Sequence, residues 1–276
     1  MGTERRGFAS ATRVFEYRDV YSAWDEDYYH PAALRLFDSA IARMLKLLDA
    51  RPGDHILDAG CGPGVHSIRA ARLGFRVHAV DVSEQALSEA RRRAERAGVD
   101  DAITFEQQDL TRLELADRSF ERIFAWGVLT HIPEIEKALG ELARILRPGG
   151  HLALEVTNVR AWDHKLERVA RRVLRKPGGE SERLHFGTLR WHATQGEKLW
   201  VWHADTDAIT HHMAALGLRR TQRVAVSFTN LQRRLGGLPR RWLLQANNTW
   251  FTWGLPPGPA ATNLLVFEKA VDASTL

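Results

Sequence analysis

The feature that most constrains the fold is a regular alternation of strand and helix patterns between residues 54 and 157. Short apolar or alternating segments predict strands, and the amphipathic segments between them predict helices. The predicted strands are HILDA at 55–59, FRVHAVD at 75–81, AITFEQQD at 102–109, ERIFAWG at 121–127 and HLALEVT at 151–157. Because strands that alternate with helices over short connections form parallel sheets covered on both faces, we predict an α/β fold.

The rest of the chain predicts a completion of this core and two caps. Strand patterns recur at 218–228 and 261–269, but residues 158–205 and 229–260 are too long for plain loops in a compact domain. Within the first interruption, TLRWHATQGEKLWVWHAD at 188–205 predicts a hairpin that turns at Gln195-Gly196. We therefore divide the chain into an N-terminal helical lid (1–53), a core (54–157), an inserted cap (158–205) and a completion of the core (206–276) that carries the insertion 229–260.

Composition narrows the class of protein. Cys61 is the single cysteine, so no disulfide forms within the chain, and a reducing compartment is the simplest setting. The first residues lack the apolar core of a signal peptide, and no apolar run is long enough to span a bilayer, so we expect a cytoplasmic protein. The 12 histidines show no His-x-x-x-His spacing and no matching carboxylate cluster, so we predict no metal. The net charge of +5 raises the question of nucleic acid, but the basic residues form no block.

The sequence HILDAGCGPG at 55–64 places a glycine turn directly after the first core strand. In open α/β sheets, ligands bind at such turns, at the carboxyl ends of the strands. The dinucleotide fingerprint needs its third glycine where Val65 stands, and a phosphate-binding P-loop needs a Lys-Ser/Thr pair that is missing. Asp58 on the strand would repel a pyrophosphate and attract a cationic ligand. These residues favour a positively charged cofactor.

Acidic residues at the ends of the next strands strengthen this interpretation. Asp81 ends the second strand, where a carboxylate can accept hydrogen bonds from two ribose hydroxyls, and Asp109 ends the third. Together with SFERIFAWGVLTHI and LRPGGHLALEV, this succession resembles the class I S-adenosylmethionine-dependent methyltransferases, in particular their small-molecule "type 11"-like branch. The resemblance is close over residues 50–157 and looser over 205–228 and 261–270. It implies a Rossmann-like, doubly wound and mostly parallel seven-stranded sheet with helices on both faces.

The resemblance also implies a cofactor, S-adenosyl-L-methionine, and the residues that hold it. The glycine loop and Asp58 would hold the methionine part, Asp81 the ribose, the residues after the second and third strands the adenine, and the backbone after the fourth strand the sulfonium side. The implied cofactor residues are Asp58, Gly60, Cys61, Gly62, Gly64, Asp81, Val82, Asp109, Leu110, Ala125, Trp126 and Gly127. The reaction product would be S-adenosyl-L-homocysteine.

Histidines and aromatic residues are the candidates for the acceptor side. A histidine near the transferred methyl group can take a hydroxyl proton, and the catalytic candidates are His131, His203 and His192. Flat rings suit an aromatic or apolar acceptor, and the candidates for this contact are Tyr21, Trp24, Tyr28, Trp191, Trp200 and Trp202. Two alternatives remain open: His131 is a base or a structural residue, and the tryptophans contact the acceptor or pack within the cap.

These features predict an enzyme that methylates a small hydrophobic or aromatic molecule, with oxygen favoured over nitrogen or carbon, in secondary metabolite, quinone or lipid biosynthesis. The alternatives are an RNA methyltransferase and a non-enzymatic S-adenosylmethionine-binding partner protein. We expect a small-molecule substrate, no nucleic acid, and a monomer or homodimer. The segment AWDHKLERVARRVLRK at 161–176 predicts an amphipathic helix with Trp162, Leu166, Val169 and Val173 on its apolar side. We expect it to pack on the cap with its arginines in water; the alternatives are weak contact with an anionic membrane surface and binding of an acidic substrate.

Overall fold

The structure of the protein, a computed structural model, describes residues 31–175, 181–194, 197–231, 235 and 237–271. Its α-helices are α1 (Pro31–Leu47), α2 (Val65–Arg72), α3 (Glu84–Ala97), α4 (Ile135–Ile145), α5 (Trp162–Val173), α6 (Thr206–Ala215) and α7 (Gly237–Thr252). Its strands are β1 (His55–Ala59), β2 (Arg76–Asp81), β3 (Ile103–Gln107), β4 (Phe120–Trp126), β5 (Leu146–Thr157), β6 (Ser181–Leu184), β7 (Gly187–Thr194), β8 (Glu197–Ala204), β9 (Leu218–Ser227) and β10 (Thr262–Lys269).

Seven strands form the central sheet in the order β3-β2-β1-β4-β5-β10-β9. Strands β1 to β5 run parallel, whereas β10 pairs antiparallel with both β5 and β9. The predicted mostly parallel, seven-stranded α/β fold is therefore confirmed. Strand β5 begins at Leu146 rather than at residue 151, because Leu146 pairs with Phe120 across a register shift.

Local sequence explains where the core helices begin and end. The hydroxyl of Ser83 accepts a hydrogen bond from the Ala86 amide (3.2 Å), which satisfies a free N–H group at the start of α3. Gly98 ends α3 in the left-handed conformation (φ 65°), which costs glycine little. The helix therefore occupies the predicted segment between its two caps.

The hydrophobic core lies on both faces of the sheet, because successive side chains of a strand point to opposite faces. Ile56 and Phe124 face the layer that contains α1, α2 and α3, whereas Leu57 and Ile123 face the layer that contains α4 and α6. Helix α1 contributes a buried stripe to the first layer, through Leu36, Ala40, Ile41, Met44 and Leu45. The described part of the N-terminal region is therefore a core helix, and residues 1–30 lie outside the described residues.

The interruption after β5 contains α5 and a separate antiparallel sheet, β6-β7-β8. The predicted hairpin is confirmed, since β7 pairs with β8 from Gly187 opposite Ala204 to Thr194 opposite Glu197. The turn at 195–196 and the side chains of 191–200 lie outside the described part. The second interruption contains α7. Among the helices of the described residues, none has the length and apolar character needed to cross a membrane.

The orientation of α5 differs from our prediction. Leu166, Val169 and Val173 on its apolar side are exposed, whereas Asp163 on its polar side is buried. Trp162, at the start of the predicted apolar side, stacks on Phe228 with ring centroids 5.2 Å apart, but the expectation that α5 packs through this side is wrong for the other three residues. The cause is a set of polar contacts between α5 and distant parts of the chain, described below.

Candidate active site

The glycine loop joins β1 to α2 at the carboxyl end of the sheet. The amides of Gly60 and Cys61 both donate to the carbonyl of Val80 (2.8 and 2.9 Å), so the loop lies against the end of β2. A Cβ at position 60 would lie 2.3 Å from Cγ2 of Val128, and φ is +79° there, so only glycine fits. A Cβ at Gly62 would meet no heavy atom within 4 Å. The backbone of Gly62 therefore borders open space in which a ligand can approach it closely.

Asp81 stands at the end of β2 with both carboxylate oxygens held. Its Oδ2 accepts a hydrogen bond from the Gly62 amide (2.8 Å), and its Oδ1 accepts one from the Ser83 amide (2.9 Å). Burial raises the pKa of Asp81, and the N–H groups of Ser83, Gly62 and Val82 oppose this effect. Because each carboxylate oxygen can accept a further hydrogen bond, Asp81 is an oriented acceptor for a pair of hydroxyl groups.

Asp58 lies beneath the loop and is almost fully buried, with 1% of its surface exposed. Its Oδ2 accepts a hydrogen bond from the hydroxyl of Ser67 on α2 (2.6 Å). Burial raises the pKa of Asp58 to about 7; the Ser67 hydrogen bond opposes the rise and the nearby charge of Asp81 adds to it. An ammonium group bound next to Asp58 would favour its charged form. Ser67 was not among the predicted residues, although its place in the first turn after the loop is visible in the sequence.

The raised pKa of Asp58 predicts how stability changes with pH. An acid whose pKa is higher in the folded state than in the unfolded state stabilises the fold at low pH, and this contribution is lost as the pH rises through the folded-state pKa. We expect the free energy of unfolding without ligand to fall by roughly 2 kcal/mol between about pH 5 and pH 7. Denaturant titrations of the wild type and of Asp58→Asn measure this change. Asp81 titrates in both proteins, so the difference between their slopes of unfolding free energy against pH reports on Asp58. Equal slopes would contradict the raised pKa of Asp58.

The predicted adenine end lies after β2 and β3. Val82 is partly exposed (38%), and its carbonyl accepts a hydrogen bond from Nε2 of Gln107 (2.9 Å). Oδ1 of Asp109 accepts hydrogen bonds from both the amide and the hydroxyl of Thr111 (2.8 Å each), so this carboxylate orders its own turn. Leu110 is buried. The contacts of these residues with adenine stay a prediction.

After β4, the backbone rather than the side chains is available to a ligand. Ala125 and Trp126 are buried, and the ring of Trp126 packs against His66 with ring centroids 5.0 Å apart. Gly127 follows with φ 69°. His131 ends a short 3-10 helix (Leu129–His131) and is half-buried, and its amide donates to the carbonyl of Val128 (2.9 Å). The loop that carries His131 is therefore joined, through Val128, to the glycine turn.

The cap sheet is attached to this loop by Trp202. The indole N–H of Trp202 donates to the carbonyl of Ile132 (2.8 Å), and the carbonyl of Trp202 accepts hydrogen bonds from the hydroxyls of Thr130 and Thr157. Only 3% of Trp202 is exposed, so in this structure it packs between the cap and the core. The alternative of packing therefore describes Trp202 better than contact with an acceptor.

For the other predicted acceptor residues, the structure describes either the backbone alone or neither backbone nor side chain. Trp191 lies opposite Trp200 in the β7–β8 register, so the two residues share one face of the cap sheet, and His192 lies opposite Leu199. Only the backbone of these positions is described. Tyr21, Trp24 and Tyr28 lie outside the described residues. Their contacts with an acceptor stay a prediction.

A pocket of about 100 Å³ opens beside the end of β5. It is lined by Thr157, Asp163, His164, Glu167, Arg190, His203, Asn230, Leu231 and Ala261. The rings of His164 and His203 meet edge to face, with centroids 4.2 Å apart. Because Thr157 shares the carbonyl of Trp202 with Thr130, the pocket lies next to the loop that carries His131. The structure thus brings His203 and the His131 loop to the same end of the sheet.

Four ionisable residues of this pocket were missed in the sequence: Asp163, His164, Glu167 and Arg190. Nη1 of Arg190 donates to Oε2 of Glu167 (3.1 Å), and burial, followed by the charge of Arg190, lowers the pKa of His164. His164 is therefore neutral at neutral pH, and its buried Nδ1 has no hydrogen-bond partner in the described part of the chain. No local signal in the sequence identifies these residues, because the pocket joins α5 to strand β7, and β6 lies between them in the chain.

The described residues contain no group of three or more His, Cys, Asp or Glu side chains that could hold a metal ion. The residues do fit S-adenosylmethionine. Gly62 leaves a gap that a Cβ would fill, and Asp81 beside it offers an oriented pair of acceptors. Asp58 places a second carboxylate under the loop, where a cationic amino group is favoured.

Comparison with known proteins agrees with this geometry. A family described as "Methyltransferase domain" matches residues 56–150. The chain is 38% identical over 134 residues to 27-O-demethylrifamycin SV methyltransferase of Amycolatopsis mediterranei, and this match covers 48% of each protein. The chain is also 38% identical over 113 residues to Methyltransferase GfsG of Streptomyces halstedii, and this match covers 41% of each protein. The chain thus spans about half the length of the curated relatives it matches.

A solved structure extends the likeness in fold to almost the whole chain. Magnesium protoporphyrin IX methyltransferase (ChlM) of Synechocystis PCC 6803, with bound SAH, superimposes with a TM-score of 0.63 at 16% identity. The match covers 95% of this chain and 100% of that one, and at this identity it shows the fold alone. Sequence matches and site geometry agree: the chain contains a methyltransferase domain whose residues fit S-adenosylmethionine.

Proposed function

We propose that this protein transfers a methyl group from S-adenosylmethionine to an oxygen atom of a small hydrophobic or aromatic acceptor. The observation that carries the proposal is the carboxylate of Asp81, held by the Gly62 and Ser83 amides beside the open space at Gly62. Bound S-adenosylmethionine supplies a methyl carbon activated by positive sulfur. The new bond joins that carbon to the acceptor oxygen as the sulfur–carbon bond breaks, and S-adenosylhomocysteine leaves.

The cofactor half of the site follows from the residues already described. Asp81 accepts hydrogen bonds from the ribose hydroxyls, and Asp58 with the carbonyls of the glycine loop receives the amino group. Val82, Asp109 and Leu110 border the adenine, and the backbone of 125–127 faces the sulfonium side. Because these groups are fixed by hydrogen bonds within the protein, little ordering is needed when the cofactor binds.

The acceptor half lies between the His131 loop and the cap. Transfer to a hydroxyl requires a group that removes its proton, and a neutral imidazole serves this purpose near neutral pH. His131 and His203 lie at the same end of the sheet and are the proposed bases, with His192 as a further candidate. The O-methylation named in the rifamycin SV relative supports oxygen as the acceptor atom. The context that we propose is secondary metabolite, quinone or lipid biosynthesis.

Replacing His131 with alanine is expected to lower the turnover number by about 100-fold, since a positioned general base contributes at least that much. Binding of S-adenosylmethionine, measured by calorimetry, should stay within about twofold of wild type. The matched control is His55→Ala, because His55 is an exposed histidine at the opposite end of β1. If both variants turn over like wild type, His131 is structural and His203→Ala becomes the test of the base.

The activity itself is tested by incubating the protein with S-adenosylmethionine and a panel of hydrophobic phenols and alcohols. We expect equal amounts of S-adenosylhomocysteine and of a methyl ether, identified by mass spectrometry. Tight cofactor binding with methylation of nitrogen or carbon would retain the methyltransferase and reject the oxygen acceptor. Absence of cofactor binding would reject the proposed function as a whole.

A further inference from the structure

Helix α5 is turned with its polar side towards the protein. Both carboxylate oxygens of Asp163 accept hydrogen bonds from the loop after β9, from the Thr229 hydroxyl (2.9 Å) and the Asn230 amide (2.7 Å). One turn further along, Glu167 accepts hydrogen bonds from Arg190 of the cap sheet (3.1 Å) and from Arg171 of α5 (2.9 Å). These contacts fix which side of α5 faces inward.

The opposite side of α5 is an apolar ridge. Leu166, Val169 and Val173 are 45%, 59% and 75% exposed. Residues at this spacing share one face of a helix, so the three side chains form a continuous strip along two turns. Leu174 after the helix adds a further exposed side chain (63%). Isolated exposed apolar residues are common, but a strip of this kind marks a surface that contacts another molecule.

The exposed charged side chains of α5 itself are all of one sign. Both acidic residues of α5, Asp163 and Glu167, point inward and are paired. The charged residues that the structure shows as exposed on α5 and its following turn are Lys165, Arg168, Arg172 and Arg175. The exposed side of α5 therefore combines an apolar strip with a basic border and carries no acidic residue.

Helix α7 has the same character and is joined to the same loop. Asn247 of α7 exchanges hydrogen bonds with the backbone of Thr229 (3.0 Å each), the residue whose hydroxyl binds Asp163. Leu238 and Trp242, one turn apart on α7, are 62% and 73% exposed, and Arg241 between them is exposed as well. Two neighbouring helices thus present apolar and basic groups to the outside.

We propose that α5 binds the surface of an anionic lipid bilayer. A helix that lies in the interface buries its apolar face at the boundary between headgroups and acyl chains, while its lysines and arginines contact anionic headgroups. A second copy of the chain fits less well, because a symmetric contact through α5 would bring two basic borders together. The pocket lined by Asp163, His164 and Glu167 lies on the inner side of this helix, so the bilayer would contact the side of α5 that faces away from the pocket. The membrane contact itself does not depend on the proposed methyl transfer.

The test is co-sedimentation of the full chain with vesicles of phosphatidylcholine containing phosphatidylglycerol, and with vesicles of phosphatidylcholine alone. We expect partitioning to the anionic vesicles to be at least about tenfold stronger and to weaken as salt is added. Val169→Gln combined with Val173→Gln should lower this partitioning by about tenfold or more. The matched control is Leu73→Gln, because Leu73 is 44% exposed at the end of α2, on a different surface.

Binding of S-adenosylmethionine by each variant checks that it is folded, since none of these residues belongs to the cofactor site. Weak partitioning of the wild type to both kinds of vesicle would overturn the proposal. Equal loss in the Leu73 variant would overturn it too, because the effect would not be specific to α5. A wild-type dimer that the double variant dissociates, measured by analytical ultracentrifugation, would assign the ridge to a second copy and likewise overturn it.

Discussion

Replacing Asp81 with alanine is expected to weaken S-adenosylmethionine binding by roughly 10²- to 10⁴-fold, which isothermal calorimetry measures directly. The reason is that Asp81 is the acceptor proposed for both ribose hydroxyls, and hydrogen bonds to a charged group contribute about 1.5–3 kcal/mol each. The variant also loses the acceptor for the Gly62 and Ser83 amides, so the glycine loop loses its attachment to β2. Asp81→Asn keeps one acceptor oxygen in a side chain of the same size. Its affinity for S-adenosylmethionine should therefore lie between those of the wild type and of Asp81→Ala.

The control for this experiment is Asp101→Ala. Asp101 is an exposed carboxylate in the short 3-10 helix before β3, so it lies at the start of its strand, whereas Asp81 lies at the end of the neighbouring strand. The Asp101→Ala variant should bind S-adenosylmethionine like the wild type. Binding by Asp81→Ala within about threefold of wild type would mean that the ribose is held elsewhere, since one lost charged hydrogen bond already exceeds that factor.

Replacing Gly60 with alanine is expected to destabilise the fold by about 2–5 kcal/mol. A left-handed conformation costs a residue with a Cβ about 1–2 kcal/mol, and overpacking typically adds about 1–3 kcal/mol. Both apply at Gly60, where φ is +79° and the added carbon would lie 2.3 Å from Val128. Chemical denaturation of the protein without ligand measures the loss.

Gly62→Ala provides the matched comparison, because only the first cost applies there: φ is +52° and no atom lies within 4 Å. We expect a loss of about 1–2 kcal/mol in stability, together with a larger loss in affinity for S-adenosylmethionine, since the methyl group would occupy the space of the ligand. Combining Gly60→Ala with Val128→Ala should restore part of the stability lost in the single variant. No restoration would assign the cost at position 60 to the backbone conformation and to the Cβ of residue 128, which alanine keeps 2.6 Å from the added carbon.

The geometry of the glycine loop and the position of Asp81 could be predicted because their determinants are local. Strand β1 occupies residues 55–59 as predicted, and the glycines that follow it have the positive φ values that favour this residue type. Asp81 stands at the end of its strand, because the buried alternation of β2 stops at that residue. Each of these features depends on neighbours within a few positions, and such features appear in the sequence as patterns.

The orientation of α5 could not be predicted, because long-range contacts decide it. The apolar spacing of Leu166, Val169 and Val173 predicted a packed face. In the structure, Asp163 binds a residue 66 positions away and Glu167 one 23 positions away, and these partners hold the polar side inward. Polar pairs of this kind leave no periodic signal in the sequence. Neither the pocket at His164 nor the apolar ridge on the outer side of α5 could therefore be predicted from it.

The position of β10 in the sheet has a consequence for how the chain is made. Strand β10 lies between β5 and β9 and pairs with both along most of its length. During synthesis on the ribosome, β5 emerges more than a hundred positions before the strand that will cover its edge, as the pairing of Thr157 with Thr262 shows. Until then β5 offers unpaired backbone groups to other chains, which is a known route to aggregation. Products of this chain that end before β10 are therefore expected to expose the edge of β5 and to aggregate.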